Sequence, residues 1–473
     1  MTLRPADDSV LASLRDVLPE RVFAEMRPGV LEEPRGRFRG SGGQLLRPEC
    51  TGQVAEIIRW ANAARVGVIP FGGGTGLVGG HVLPDGPAPL ILSLERMSTV
   101  FDIDPVDNVL VVGAGAVLAD VQTAARDADR LFPLSIASEG SCQIGGNLAT
   151  NAGGMQVVRY GSARDLCLGL EAVLPDGSIY RGLNCLRKDN TGYDLRNLLI
   201  GSEGTLGVIT AATLALHPLP GVTVSAFAAI SSPSAGVRML REAADRLGNT
   251  LSVFELISKT GVDFLRETVP GTRIPLSGDD AWYLLVEVAD AHDSGIESRV
   301  EDFLARQLED GRVSDAVLAA NEAQRQAFRH IREMLPEANR RIGAIASHDI
   351  SVPASRIQEF IDRGLALVAE FGPLRVNCFG HIGDGNLHFN IFPPAGCSPD
   401  ELESIRRNRD EITRRIHALA VACQGSFSAE HGVGRLKTGE LNRYGDPGRL
   451  RAMRGIKAAL DPSGIMNPGA VLD

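Results

Sequence analysis

Two histidines flanking a tight turn are the first residues in this chain that can do chemistry. They lie in Cys378-Phe379-Gly380-His381-Ile382-Gly383-Asp384-Gly385-Asn386-Leu387-His388-Phe389-Asn390. Asp384-Gly385 is a strong signal for a two-residue hairpin turn. A hairpin closed there sets Gly383 against Asn386, Ile382 against Leu387 and His381 against His388. Directly opposed residues hold their Cβ atoms roughly 5 Å apart, so this register predicts two imidazoles converging on one cation. Some forty residues on, Ser428-Ala429-Glu430-His431-Gly432-Val433-Gly434 offers a carboxylate and a further imidazole. Two imidazoles and one carboxylate leave coordination positions open for water or substrate. A lone histidine is usually packed or solvated; a pair across a turn, joined by a Glu-His step among glycines, points to a site.

Three glycine-rich segments offer a different chemistry. Pro70-Phe71-Gly72-Gly73-Gly74-Thr75-Gly76-Leu77-Val78-Gly79-Gly80 contains a G-x-G-x-x-G pattern at Gly74, Gly76 and Gly79. In a dinucleotide fold that pattern opens a helix. Here Pro84, Pro87 and Pro89 follow, and prolines so close together do not build one. The better reading is a nest of consecutive backbone amides that wraps a diphosphate. The second segment runs from Ser138 through Gly140, Gly145, Gly146, Asn147, Thr150 and Asn151 to Gly154, and closes at Gly161. The third spans Gly201 to Gly207 and includes Glu203 and Gly204. One such loop is an ordinary turn; three within 140 residues suggest backbone approaching a large, flat, polar ligand.

The elements that position these groups are mixed. A length of 473 residues exceeds one ordinary core and implies two or three domains. An apolar fraction of 44% and a charged fraction of 22% are those of a soluble globular protein. The net charge of −10 disfavours nucleic acid. Seven scattered cysteines without a C-x-x-C pair argue for reduced thiols. With no apolar signal core and no transmembrane-length apolar run, the expectation is a cytoplasmic protein. Helical periodicity is expected over 7–25, 54–64, 235–247, 295–308, 317–334 and 398–422. Strands are expected over 66–70, 90–94, 109–113, 200–209, 224–230, 251–257 and 283–288. The Pro-Gly junction at His217–Gly221 marks a domain boundary, after which a sheet carries helices on one face. The fold class is α+β, with no regular βαβ repeat.

Taken together, Pro70–Gly80, Ile144–Gly154, Glu203–Thr210, His381–His388, Ser428–Gly434 and Asn467-Pro468 resemble the FAD-linked oxidases with a flavin domain of the vanillyl-alcohol-oxidase type. Within them the chain is similar to the D-2-hydroxyacid dehydrogenase branch, from about Arg47 to Leu472. The resemblance implies a two-lobed FAD-binding domain over 1–220, an antiparallel-sheet cap carrying the substrate site over 221–422, and a C-terminal helical segment, 423–473, returning to the flavin. It implies noncovalent FAD, since His81 matches no covalent attachment position. It places the diphosphate on Pro70, Gly72, Gly73, Gly74, Thr75, Gly76, Leu77 and Gly79, and Asn147, Thr150 and Asn151 on the flavin side. Ser138, Gly140, Gly145, Gly146, Gly154, Gly161, Glu203, Gly204, Gly207, Ile209 and Asn467 complete the expected cofactor set.

By the same resemblance His381, His388 and Glu430 are metal ligands, usually for zinc, and His431 is the catalytic base. Arg332 and Asn386 serve substrate, the arginine by gripping a carboxylate. The expected reaction is oxidation of a D-2-hydroxy acid to the 2-oxo acid, of the D-2-hydroxyglutarate type. Ser347 and Pro336 depart from that pattern and keep D-lactate or a glycolate-oxidising flavin subunit open; Arg340 or Arg341 is a candidate to compensate. A metal-dependent hydrolase is the alternative of a different class, and it leaves the glycine loops unexplained. The expected partners are a small 2-hydroxy acid and an electron acceptor (electron-transfer flavoprotein, quinone or cytochrome), with a homodimer as the ordinary assembly.

Overall fold

The computed structural model describes residues 2–276, 280–292 and 295–472. They form two compact units. The first comprises 1–153, 162–219 and 431–473, and the second 154–161 and 220–430.

In the first unit, a sheet carries strands in the order Phe23–Ala24, Gln44–Leu46, Leu90–Ser93, Val68–Phe71. Its three longer strands are parallel, and the helix Thr51–Ala64 buries Val54, Ile57, Ile58 and Ala61. A second sheet is antiparallel, in the order Val100–Asp104, Val109–Gly113, Val208–Ala215, Cys167–Val173, Ile179–Gly182. Its central strand, Val208–Ala215, is buried at every residue. Segment 72–89 holds no helix, as its prolines require. Gly201, Glu203 and Gly204 all have positive φ, so the expected strand over 200–209 is a turn through 207 and a strand from Val208. The expected helix over 7–25 is shorter, Asp8–Arg15, and Pro19 leads into a 3-10 turn.

The second unit is built on an antiparallel sheet with strands in the order Val313–Leu318, Val222–Ile230, Trp282–Asp290, Leu251–Ser258, Arg375–His381, Asn386–Phe392, Ala346–Ser351. Successive side chains alternate between its faces: Ala226 and Ala228 join one apolar cluster, Phe227 and Ala229 the other. Both faces are therefore covered, and the expectation of helices on one face is corrected. A strand such as Leu251–Ser258 is buried at every residue, a pattern that fits two covered faces. The helix expected over 398–422 breaks into Pro399–Arg406 and Arg409–Ala422; the one expected over 317–334 is shorter, Glu322–Glu333, because 317–318 end the strand Val313–Leu318, and a second helix, Leu335–Ile342, follows it. Pro336 at the start of the second helix cannot supply an amide to the turn before it.

The His381–His388 hairpin forms, with a different register. His388 faces Phe379, and Cys378 faces Phe389, a shift of two from the expected pairing. The loop is wider because the His381 carbonyl accepts from the amides of both Asp384 and Gly385, at 3.1 Å each. The Asp384 carboxylate accepts from the Asn386 amide at 3.0 Å. A two-residue slip preserves the face on which each side chain lies. Both imidazoles stay on one side of the sheet, as diagonal neighbours with ring centroids 5.9 Å apart.

Candidate active site

Four adjacent strands of the second unit present one row of polar side chains. Glu255 lies directly opposite His381, and His388 directly opposite Asp349. The loop after Ser426, which bridges to Ser351, brings Glu430 over this row, and Asp349 Oδ2 accepts from the Glu430 amide at 3.0 Å. One ligand atom each from His381, His388 and Glu430 falls within 4.8 Å of the others. His381 Nε2 is 2.9 Å from Glu430 Oε1, and His388 Nε2 is 4.0 Å from Oε2.

The surroundings fit a divalent cation. His381 Nδ1 is 2.5 Å from Glu255 Oε1, the carboxylate–histidine arrangement that orients a metal ligand and leaves Nε2 for the ion. Burial by itself lowers the His381 pKa, but the Glu255 and Glu430 carboxylates outweigh it and raise it. The two carboxylates thus favour positive charge at the His381 ring. Burial lowers the His388 pKa to about 4, against the smaller opposing pull of Glu430 and Asp349, so that ring is neutral and ready to ligate. Burial pushes Asp384 in the loop up to about 6.

Arg332 comes from the helix Glu322–Glu333, capped by Asn321. Its Nε donates to Glu255 Oε2 at 2.5 Å, and its guanidinium carbon sits 4.7 Å from the Phe379 ring centroid. Arg332 is 6% exposed, yet no described residue accepts from its Nη atoms. Its planar fork remains available for a carboxylate. Asn386 donates from Nδ2 to Asp349 Oδ1 and to the Ile350 carbonyl, at 2.9 Å each. Its buried Oδ1 has no partner among the described residues, and it can accept from a ligand hydroxyl. Ser347 shares the face of Asp349, two residues away on the same strand. Arg340 and Arg341 are both paired with Glu337 at 2.7 Å.

The glycine segments lie in the first unit. No amide from Gly72 through His81 donates to a described residue. Such a run of unpaired donors fits a polyanion. A Cβ on Gly73 would come within 2.1 Å of the Ser141 carbonyl oxygen, whereas Cβ atoms on Gly140 and Gly146 would meet open space. Gly145 packs on Ala114 and Gly204 on Pro70. Asn147 Nδ2 and Gln143 Oε1 are buried without hydrogen-bond partners among the described residues, and the Cys142 thiol lies against the asparagine side chain. An amide-lined cradle with open space and orphaned polar atoms suits a flavin dinucleotide.

Other expected cofactor residues have different local roles. Thr150 donates its hydroxyl back to the Gly146 carbonyl at 2.9 Å. Asn151 accepts from Ser162 and from the Arg164 amide. Glu203 accepts from the amides of Val433 and Gly434. The Asn467 amide group donates to the Gly80 and Glu203 carbonyls. A Cβ on Gly207 would come within 2.8 Å of the Val173 carbonyl oxygen, and Ile209 is sheet core. Gly154 and Gly161 belong to the second unit, and His431 is the first residue of the chain's return to the first.

Sequence reasoning did not single out Glu255, Asp349 or Gln143. Glu255 had a signal: one carboxylate inside the apolar run Leu251-Ser252-Val253-Phe254-Glu255-Leu256-Ile257. A buried carboxylate needs a partner, and Glu255 has two. Glu287 in Tyr283–Val288 is the same case, paired with Arg329 at 2.8 Å.

The chain is similar to known flavoproteins along most of its length. The FAD linked oxidase C-terminal domain matches residues 219–471, and an FAD binding domain matches 43–182. Mitochondrial D-2-hydroxyglutarate dehydrogenase of Arabidopsis thaliana is 37% identical over 439 residues, 92% of this chain and 76% of that protein. The mitochondrial enzyme of Bos taurus is 37% identical over 98% of this chain and 83% of its own length. D-2-hydroxyglutarate dehydrogenase of Xanthomonas citri is 38% identical, over 91% and 89%. Among solved structures, p-cresol methylhydroxylase superposes with a TM-score of 0.77 at 15% identity, covering 98% of this chain and 97% of that one. An alkyldihydroxyacetonephosphate synthase gives 0.74 at 14%, covering 99% and 86%; at such identities the likeness is one of fold. The relatives correct the cytoplasmic expectation, because the plant and animal proteins are named as mitochondrial. Free thiols report a reducing compartment, and the cytoplasm is not the only one. No helix among the described residues is long and apolar enough to cross a membrane.

Proposed function

The chain belongs to the FAD-linked oxidases, and from that premise we propose that it oxidises a D-2-hydroxy acid of the D-2-hydroxyglutarate type to the 2-oxo acid, with noncovalent FAD and a divalent cation. The FAD-dependent oxidoreductase class follows from the family, and the substrate class from the relatives' shared activity name. The observation that carries the cation and substrate assignment is the convergence of His381, His388 and Glu430 beside a guanidinium whose Nη atoms have no acceptor among the described residues. We assign FAD binding to 1–220, substrate binding to 221–422, and completion of the active site to 423–473.

FAD, when bound, supplies a two-electron acceptor for the hydride leaving the alcohol carbon, and a cation on His381, His388 and Glu430 supplies Lewis acidity toward the alcohol oxygen. The chain's own residues do the rest. Arg332 grips a carboxylate through its Nη atoms, and Asn386 helps orient the substrate. An imidazole nitrogen of His431 takes the hydroxyl proton, as a group titrating near neutrality is suited to do. Glu255 holds Arg332 and His381 in place. Zinc is the cation this donor set suits. The electron acceptor is a further protein or quinone, and a homodimer is the assembly we expect.

A second reading, a monocarboxylate such as D-lactate, is favoured by one observation. Ser347 supplies no cation on the site's face, and Arg340 and Arg341 are engaged by Glu337. Dye-linked reduction with a panel of D- and L-2-hydroxy acids, with and without chelator, tests both readings. D-2-hydroxyglutarate turned over best, with loss on chelation, supports the first. D-lactate preferred over it replaces the first by the second, and turnover indifferent to chelation removes the cation.

A further inference from the structure

Three consecutive peptide groups at the end of the glycine loop all face the same way. The Val78 carbonyl accepts from the amides of Arg435 and Leu436, at 2.9 and 3.1 Å. The Gly79 carbonyl accepts from Arg435 Nη1 at 2.8 Å. The Gly80 carbonyl accepts from the same Nη1 at 3.1 Å and from Asn467 Nδ2 at 2.9 Å. The peptides are trans, so each N–H points opposite to the carbonyl of its own plane. The amides of Gly79, Gly80 and His81 are therefore turned away from Arg435, and none of them has an acceptor among the described residues. Gly79 reaches this arrangement with φ +70, a conformation that glycine adopts at little cost.

The segment carrying Arg435 is itself fixed. A Cβ on Gly434 would lie 2.2 Å from the Val78 carbonyl oxygen, so only glycine permits the approach. Glu203 accepts from the Val433 and Gly434 amides at 2.7 and 2.8 Å. Arg435 Nη2 donates to Asn467 Oδ1 and the Pro468 carbonyl, each at 2.8 Å. One guanidinium thus takes four acceptors from two stretches of chain. Its Nε is buried without a partner among the described residues, and its two Nη atoms are committed to this contact.

We propose that Arg435, braced by Asn467, is a positioning residue for the cofactor diphosphate: it holds the carbonyls of Gly79 and Gly80 so that the Gly79–His81 amides stand as a preformed anion cradle. The cation behind the peptide groups also polarises them toward a ligand in front, since their dipoles run from the carbonyl oxygen at Arg435 to the amide hydrogen opposite. The inference rests on assigning the loop at 72–80 to the FAD diphosphate. A lysine keeps the charge but lacks the planar fork that reaches several acceptors at once.

The test compares ligands with and without the diphosphate. Holoenzymes of the parent, Arg435→Gln, Arg435→Lys and Gly76→Ala are purified, and FAD release on dilution is followed by flavin fluorescence. Rebinding of FAD and of riboflavin to the deflavinated proteins is then titrated. Arg435→Gln is expected to weaken FAD by about tenfold or more while riboflavin changes less than about twofold, because lost pre-organisation falls on the group the amides hold. Arg435→Lys should lie between parent and Gln. FAD affinity unchanged in Arg435→Gln overturns the proposal, as does equal weakening of FAD and riboflavin, which marks a merely structural tie. Gly76→Ala separates the two assumptions, because its methyl would meet only His81 Nδ1, at 3.6 Å, and project into the open loop. If it weakens FAD while Arg435→Gln does not, the loop assignment survives and the positioning role falls; if neither does, both fall.

Discussion

Replacing Glu255 by Gln should weaken the cation site and change its response to pH. Glu255 is fully buried and accepts from Arg332 Nε through one oxygen and His381 Nδ1 through the other. Glutamine has one acceptor oxygen, so its amide must turn a donor toward one of these two donors. Breaking a buried charge pair in this way costs about 3–5 kcal/mol, and removing the partner that orients a metal-bound histidine costs about 10- to 100-fold in affinity. The pH dependence follows from the sign of the His381 shift. Its pKa is raised in the ion-free protein by Glu255 and Glu430, so the ring carries a proton at neutral pH that must leave Nε2 before it can ligate. His388, lowered to about 4, has no proton to lose there. Parent affinity should therefore climb about tenfold per pH unit between about pH 6 and 8, one proton released per cation. An unperturbed imidazole gives a rise of only about fourfold over that interval. Glu255→Gln removes the first of the raising charges, so its curve should lie lower and flatten toward the unperturbed case. Competition with a chromophoric chelator at several pH values reads both quantities. Equal affinity and equal slope in parent and variant would refute the assigned role of Glu255, and a parent slope of two would refute the neutral state of His388.

Arg332→Lys should raise KM for the hydroxy acid by roughly tenfold or more, the worth of about 1.5–3 kcal/mol for a charge-assisted bond; steady-state kinetics with unchanged KM would remove Arg332 from substrate binding. His431→Ala should lower kcat by about 10²–10⁴ with flavin and metal contents at parent levels, and a parent rate would show the base to be another group. Arg329→Met removes the cation that meets the fully buried Glu287 carboxylate at 2.8 and 2.9 Å and leaves it the Ser225 hydroxyl at 2.7 Å; it should destabilise the fold by about 3–5 kcal/mol in urea unfolding, and a change below about 1 kcal/mol would mean that solvent reaches Glu287.

Much of the local structure was legible in the chain. Val109–Gly113, Val224–Ile230 and Tyr283–Val288 read as strands because β-branched and aliphatic runs between turn residues have few other homes. Pro84, Pro87 and Pro89 excluded a helix after the glycine loop, and none is present. His381 and His388 came out on one face although their register was misread by two, because a strand's side-chain period is two and an even slip changes neighbours but not sides. What the turn dipeptide could not convey was the acceptor capacity of the His381 carbonyl, which widened the loop.

By itself, the sequence determined which groups were available: two imidazoles near a turn, a Glu-His step, loops of unhindered backbone amides, and a lone glutamate in an apolar strand. Tertiary structure alone decided which of them meet. Glu255 and His381 are 126 residues apart, and Glu203 and Val433 are 230 apart. Such contacts arise from strand order and chain return, and no local propensity encodes them. Burial was also decided there, and burial with neighbouring charge splits two chemically identical imidazoles, raising His381 and lowering His388, because the cost of a charge depends on the medium and partners around it rather than on the residue that carries it.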